Sequence, residues 1–412
     1  MSGDWPAGIV RSGDLVVVGQ GVGEPTPLLE ELLAKGPRDI EVFVGLSHSE
    51  ALTGEASLPL VSFGALGPLS TYAAGEVAII PCHFDDLPRL LPLRAPGRLV
   101  VLMQVAESDA QGGHSLGMAV DYTYELAGQA RAVVAEINAQ MPVTSAPRLP
   151  ASTFDAVVRS SRPLPVVATA PVGDVHRRIA ALVLPMVPDG ATIQLGIGAV
   201  PSAIGTALTV RRGLRVRSTL VGDWLLGLAR AGSLSCEPGS VVISEAAGSA
   251  ELYRYVATST TRVRPVPDVI GPAAAGAVDG FVAINSALQV DLTGQVNAEE
   301  IGSGYVGGIG GQAEYLRAAQ RSAGGRSIVV LPATTGGGRR SRIVGRLESG
   351  TVTTPRSGVD VIVTEFGTAD LRGRSLRERA ELITGIAAPQ HREGLSRGSL
   401  HRGSLGEQDG RG

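Results

Sequence analysis

Cysteine, lysine and aromatic side chains are all scarce in this chain. Cys82 and Cys236 stand alone in 412 residues. They are too few for a disulfide framework and lack the CxxC or CxxH spacing of a zinc site. Aromatics at 4% are too sparse to stack a row of nucleic-acid bases. Charged residues reach only 18%, with a net charge of -3, which excludes a disordered chain and a strongly basic polyanion binder. Lys35 is the one lysine; the arginine bias reflects base composition more than function. No uninterrupted apolar run approaches the ~18 residues of a membrane span. The first ten residues carry Asp4 and Pro6 and do not read as a signal peptide. A cytoplasmic protein without membrane or nucleic-acid partners is the expectation. Six histidines occur, none paired at i, i+4 and none in HExxH, so no metal is expected.

What is present is apolar and turn-rich. Hydrophobic residues make up 44%, beside 55 glycines and 26 prolines with no collagen-like period. Short Val/Ile/Leu runs at Leu15–Val18, Arg98–Val105, Val166–Ala168, Thr192–Leu195, Ser240–Ile243, Ser327–Leu331 and Val359–Val363 read as strands buried on both faces. Helical patterns lie between them, at Pro27–Ala34, Tyr122–Asn138, Val175–Met186, Ser202–Leu208, Ala313–Ala319 and Leu376–Ile386. This alternation predicts α/β architecture with open sheets.

One grammar occurs twice. Val16-Val17-Val18-Gly19-Gln20-Gly21-Val22-Gly23-Glu24-Pro25 reads strand, Gly-x-Gly turn, proline, helix. Thr192-Ile193-Gln194-Leu195-Gly196-Ile197-Gly198-Ala199-Val200-Pro201 repeats it with one residue inserted. Two α/β domains of similar fold are therefore expected. The first is 1–170, including the Pro- and Ser-rich join Thr144–Pro171; the second is 171–395, with a disordered tail over 396–412.

Glycine-rich turns before helices are the leading functional candidates. Either Gly-x-Gly turn can seat a phosphate on backbone N–H groups, but neither completes GxGxxG with a later acid. The run Gly307-Gly308-Ile309-Gly310-Gly311-Gln312 places several backbone donors before a helix, as an oxyanion requires. Arg339, Arg340 and Arg342 follow three glycines and read either as a solvated turn or as a phosphate contact. Thr364-Glu365-Phe366-Gly367 ends a strand, where a parallel sheet offers a carboxylate to a ligand crevice.

Three longer blocks resemble the acetyl-CoA hydrolase/transferase family. They are Ala283-Ile284-Asn285-Ser286-Ala287-Leu288-Gln289-Val290-Asp291-Leu292-Thr293-Gly294-Gln295-Val296-Asn297, the glycine run at 308–312, and Val363-Thr364-Glu365-Phe366-Gly367-Thr368-Ala369-Asp370-Leu371-Arg372-Gly373 with Leu376-Arg377-Glu378-Arg379-Ala380. The resemblance spans about Val16 to Leu395. It implies two open α/β domains with an acyl-CoA site in the cleft between them, coenzyme A thioesters as substrates, and a homodimer or higher homo-oligomer. In that family a glutamate attacks the thioester, giving an acyl-glutamyl anhydride and then a glutamyl-CoA thioester, covalent catalysis that splits one hard step into easier ones.

Carried over residue by residue, the resemblance exposes a departure. Where the family reads Leu-Gly-[Val/Ile]-His-[Thr/Ser]-Glu-Met, this chain has Leu214-Arg215-Val216-Arg217-Ser218-Thr219-Leu220, with Thr219 at the glutamate position. Ile270 stands at an active-site asparagine and Ala388 at a histidine. Glu245 is a newcomer where the family tends to have an aromatic residue. The expected substrate contacts are Gly196, Gly198, Asn285, Gly308, Ile309, Gln312 and Arg340, with Gly310 and Gly311 as oxyanion donors. The preferred reading is acyl transfer from acyl-CoA directly to an amine, hydroxyl or water. Glu365 is the first candidate base and Glu245 the second, and Thr219 or Ser218 is a candidate nucleophile. A CoA-transferase with Glu245 as relocated nucleophile and a non-catalytic CoA-binding protein stay open as alternatives.

Overall fold

The computed structural model describes residues 6, 8–53, 57–271, 278–302, 304–347 and 349–400. Two large sheets dominate it. The first contains β1 (Leu15–Val18), β2 (Glu41–Val44), β3 (Leu60–Ser62), β4 (Val77–Ile79), β5 (Leu99–Val105), β6 (Ala132–Asn138) and β7 (Ala156–Ser160). The second contains β8 (Thr192–Leu195), β9 (Arg215–Val221), β10 (Val241–Ala246), β11 (Arg262–Val263), β12 (Phe281–Ser286), β13 (Arg326–Val330), β14 (Val361–Thr364) and β15 (Gly367–Asp370). Their spatial orders are β4-β3-β2-β1-β5-β6-β7 and β11-β10-β9-β8-β12-β13-β14-β15. Seven strands therefore follow the same winding in each half, and β15 adds an antiparallel edge to the second.

All other pairings within these sheets are parallel, for example β1 with β2 and β5 and β8 with β9 and β12. Parallel strands need crossover connections that cover both faces. Accordingly β5 and β6 are buried at every position. The repeated Gly-x-Gly turns follow β1 and β8, which occupy the same place in their sheets. Helix packing is close where side chains allow it. A Cβ on Gly205, in the helix Ala199–Ala207, would lie 2.4 Å from the Cβ of Trp224, which opens the next helix.

Several sequence expectations change. Tyr122–Asn138 is not one helix: Thr123–Ala127 forms a short helix and Ala132–Asn138 is central strand β6. Val133, Val134 and Ile137 carry the β-branched character that favours the pleated, buried alternative. Val166–Ala168 is irregular and touches the second half through the Val167 N–H, which donates to the Gly248 carbonyl at 3.0 Å. The Thr144–Pro171 join contains β7, so the irregular connection is shorter. It is tied back by Arg162, which grips buried Glu136 with two nitrogens at 2.7 and 2.9 Å. The tail is helical through Leu400; residues 401–412 of the expected disordered stretch lie outside the described residues.

Candidate active site

Strand ends converge between the two sheets. Thr219 lies near the carboxyl end of β9 and Glu245 near that of β10, one strand over, with Leu220 and Glu245 in register. Gly196 follows β8, and Asn285 sits near the end of β12. In an open parallel sheet this end is where ligands bind. From the first half, the segment Met118–Val120 crosses onto β10. The Val120 N–H donates to the Ser244 carbonyl at 2.9 Å, and the Ala246 N–H donates to Met118 at 3.1 Å. That contact brings Asp121 beside Glu245.

The result is a cavity of about 210 Å³ with walls from both halves. Of the residues singled out from sequence, Thr219, Glu245, Gly196, Asn285, Gly310, Gly311 and Gln312 line it. Gly198, Gly308, Ile309, Arg340 and Glu365 do not. Gly308 packs against Gly64 of the first half in an isolated bridge. Arg340 is exposed in a two-stranded hairpin with Thr335. Glu365 accepts the Ala333 N–H at 2.8 Å and attracts Arg342.

Glu245 is a strongly perturbed carboxyl on that wall. Its side chain is buried, and burial first, then the nearby charge of Asp121, pushes its carboxyl up to about 7. The Val22 N–H donates to Oε1 and Gln20 Nε2 donates to Oε2, both at 3.2 Å. These bonds favour the charged form and oppose part of the shift. Gln20 is itself fixed. Its N–H donates to Asp121 Oδ2 at 2.6 Å, and its Oε1 accepts the Leu46 N–H at 3.3 Å. Burial likewise raises Asp121, which also accepts the Thr123 N–H at 2.8 Å.

The two glycine turns have thus taken different work. The first, one of the two turns able to seat a phosphate, holds the protein's own carboxylates. Its Gly21 has φ +59°, and a Cβ there would sit 1.7 Å from Glu245 Oε1. Only glycine lets the turn close on that carboxyl. In the second turn the Gly196, Ile197 and Gly198 N–H groups meet no acceptor among the described residues. A Cβ on Gly196 or Gly198 would meet open space. The donors of that turn stay available to an incoming oxygen.

The loop at 307–311 is pinned against the first half. The Ala65 N–H donates to the Gly307 carbonyl at 2.9 Å, and the Phe84 N–H donates to Gly310 at 3.1 Å. The helix Gln312–Arg321 begins directly after it, where first-turn N–H groups lack intrahelical acceptors. Gly311 is the cap of that helix and its N–H meets no acceptor among the described residues.

The candidate nucleophiles lack a base of the usual kind. Ser218 donates its hydroxyl to the Leu195 or Leu220 carbonyl, at 2.8 and 3.0 Å. The Thr219 N–H donates to the Tyr315 hydroxyl at 2.6 Å. No histidine lines the cavity. Sequence reasoning missed Gln20, Asp121, Gln194 and Tyr315. Gln20 carried a usable signal, standing inside a turn already singled out. Gln194 and Asn285 pair across strands, Asn285 Nδ2 donating to Gln194 Oε1 at 2.8 Å, a relation that no local pattern discloses. Ser244, also on the wall, has a buried hydroxyl without a protein partner.

The chain is similar to known proteins over most of its length. Residues 248–398 match the acetyl-CoA hydrolase/transferase C-terminal domain. The chain is 35% identical to the 4-hydroxybutyrate coenzyme A transferase of Clostridium kluyveri over 403 residues, 94% of each chain. It is 32% identical to the succinyl-CoA:cyclohexane-1-carboxylate CoA transferase of Geobacter metallireducens over 409 residues, 95% of this chain and 92% of the relative. The crystal structure of RipA from Yersinia pestis superposes with a TM-score of 0.86 at 29% identity, over 96% of this chain and 95% of that one.

Proposed function

This chain belongs to the acetyl-CoA hydrolase/transferase family, and from that premise we propose that it consumes an acyl-CoA by direct attack on the thioester, with Glu245 as the base. It is an enzyme of the CoA-transferase and acetyl-CoA hydrolase kind. The observation that carries the proposal is the buried Glu245 carboxyl, raised to about 7 on the wall that also holds Thr219. A base titrating near working pH combines availability with proton affinity. Threonine cannot form the anhydride that the family's exchange route requires.

In the proposed step, Glu245 takes a proton from water or a small hydroxyl or amine acceptor as that atom bonds to the thioester carbon. The carbonyl electron pair moves onto oxygen, within reach of the N–H donors of Gly196 or Gly311, both on the cavity wall. Collapse breaks the carbon–sulfur bond, and the departing thiolate recovers the proton from Glu245. Donors aimed at the developing oxyanion lower the barrier without reorganising.

A second reading has one observation in its favour. Glu245 stands one strand from Thr219, opposite Leu220, so a relocated nucleophile would enter the same cavity. Against it, both oxygens of Glu245 are already held by first-half donors.

The test compares Glu245→Gln with Glu365→Gln. Thioester turnover is expected to fall by roughly 10²–10⁴ in the first and by less than tenfold in the second. The reverse order removes Glu245 as base. The wild type, incubated with acyl-CoA, is expected to show no CoA adduct on a glutamate by mass spectrometry and no inactivation by borohydride. An adduct at Glu245 promotes the second reading.

A further inference from the structure

We propose that the hydroxyls of Thr219 and Ser244 donate to the thioester oxygen, and that Tyr315 positions Thr219 for that work. The inference rests on the acyl-CoA reading and deepens it, giving position 219 the role of an oxyanion donor in place of a nucleophile.

The second sheet forks where these residues stand. β9 pairs with β8 only at Thr192–Arg215 and Ile193–Val216, while its pairing with β10 continues to Val221–Ala246. Past the fork the freed backbone groups turn to side chains. The Leu195 carbonyl accepts the Ser218 hydroxyl at 2.8 Å, and the Thr219 N–H donates to the Tyr315 hydroxyl at 2.6 Å. Tyr315 is itself held in the first turn of the helix after the glycine loop. It is 2% exposed, and its ring lies against Gly311, where a Cβ would stand 3.2 Å from it. The bond from Thr219 to this fixed phenol sets the Thr219 backbone on the cavity wall.

Ser244 holds the matching place on β10, between the paired steps Ser218–Ile243 and Leu220–Glu245. Side chains at matching steps of neighbouring strands share a face, about 4.8 Å apart. Ser244 is 2% exposed and lines the same cavity, and its hydroxyl meets no partner among the described residues. A buried hydroxyl is ordinarily hydrogen-bonded, and an oxygen entering between the two side chains supplies that bond. Neither hydroxyl is equipped as a nucleophile. Burial pushes the Tyr315 phenol well above its usual range, so it stays neutral and takes no proton from Thr219. Both oxygens of Glu245 accept from Val22 and Gln20, and neither partners Ser244. No lysine, arginine or histidine lines the cavity, so N–H and O–H dipoles must meet the charge that grows on the thioester oxygen. Each hydroxyl donates a hydrogen bond and keeps its proton.

The probe is acetyl-dethia-CoA, a ketone in which a methylene replaces the thioester sulfur, with its carbonyl carbon isotopically labelled. Infrared difference spectra of the ketone on the wild-type protein are expected to show the carbonyl band below its position in free solution. Thr219→Val, Ser244→Ala and Tyr315→Phe should each return part of that shift, and Thr219→Ser should keep it. A band that neither Thr219→Val nor Ser244→Ala moves overturns the proposal. In turnover of acetyl-CoA, those two variants are expected to lose at least about tenfold in kcat, with KM within about threefold. A rise in KM alone overturns the donor role. The double variant of Thr219→Val and Tyr315→Phe is expected to be no slower than Thr219→Val, because a positioning residue has no effect once its hydroxyl is gone. Additive losses remove the role of Tyr315. Ser244→Ala breaks no side-chain bond within the protein, so it carries the test where another variant fails to fold. The ketone cannot be cleaved, so its spectrum reads the donors even where no thioester turns over, an outcome that removes the catalytic reading alone. A ketone that calorimetry shows not to bind overturns both.

Discussion

Glu245 and Asp121 face one another across the boundary between the halves, joined through Gln20. The charge of Asp121 disfavours ionisation of Glu245, and burial does so more strongly. With Glu245 as base, activity requires its deprotonated form, so kcat/KM is expected to rise with pH through about 7. Replacing Asp121 with Asn removes a negative neighbour and eases ionisation, which moves that rising limb to lower pH. A pH–rate profile of the variant, with circular dichroism to verify the fold, checks the direction. An unmoved limb would separate Asp121 from the control of Glu245. Thr219, by contrast, donates its N–H to the Tyr315 hydroxyl, and no histidine lines the cavity beside it.

Turns, more than strands, distribute function between the halves. β1 and β8 hold equivalent places, yet the turn after β1 is closed on Glu245 while the turn after β8 keeps its donors free. Gly21 makes the difference possible, through φ +59° and the absence of a Cβ. Gly21→Ala is expected to destabilise the protein by more than ~1–2 kcal/mol, the ordinary cost of a left-handed residue, because the methyl group must also displace the carboxyl. Thioester turnover should fall at least tenfold even where the protein stays folded, since the base loses its position. Urea denaturation and steady-state assays on the same preparation test both parts. Wild-type turnover in that variant would show that the turn does not set the base.

Across the whole molecule, buried and half-buried carboxyls accumulate where the two halves meet. Burial pushes Glu125 and Glu245 up to about 7. Glu314 is raised by burial and by the nearby charge of Asp85. Each folded-state value lies above the unfolded value, so the native state binds more protons between the two. Stability from these groups is complete below the unfolded carboxylate range and is lost as pH rises through their folded values. The melting temperature is therefore expected to fall between about pH 5 and pH 8, and Glu245→Gln should flatten part of the slope. Differential scanning fluorimetry over that window checks it; a melting temperature rising through pH 7 contradicts the assignment.

Local pattern was enough for much of the architecture. The doubly apolar runs required parallel strands covered by helices, and the repeated strand–glycine–proline–helix grammar announced two halves wound alike. Runs with mixed signals were misread: β9 alternates Arg215 and Arg217 with Val216, and β6 hid inside a helical-looking stretch until its neighbours β5 and β7 decided the matter. The substitution at Thr219 was legible because it breaks a long ordered motif. Which carboxylate faces the cavity was not. Glu365 and Glu245 are equally acidic in sequence, but only the register of β9 against β10, with the crossing of Met118–Val120, brings Glu245 to the wall and leaves Glu365 outside it. Proximity between residues 20, 121 and 245 comes from chain topology, and so does the desolvation that raises the carboxyl of one ordinary glutamate. Composition and spacing carry neither, because both arise only when distant segments exclude water together.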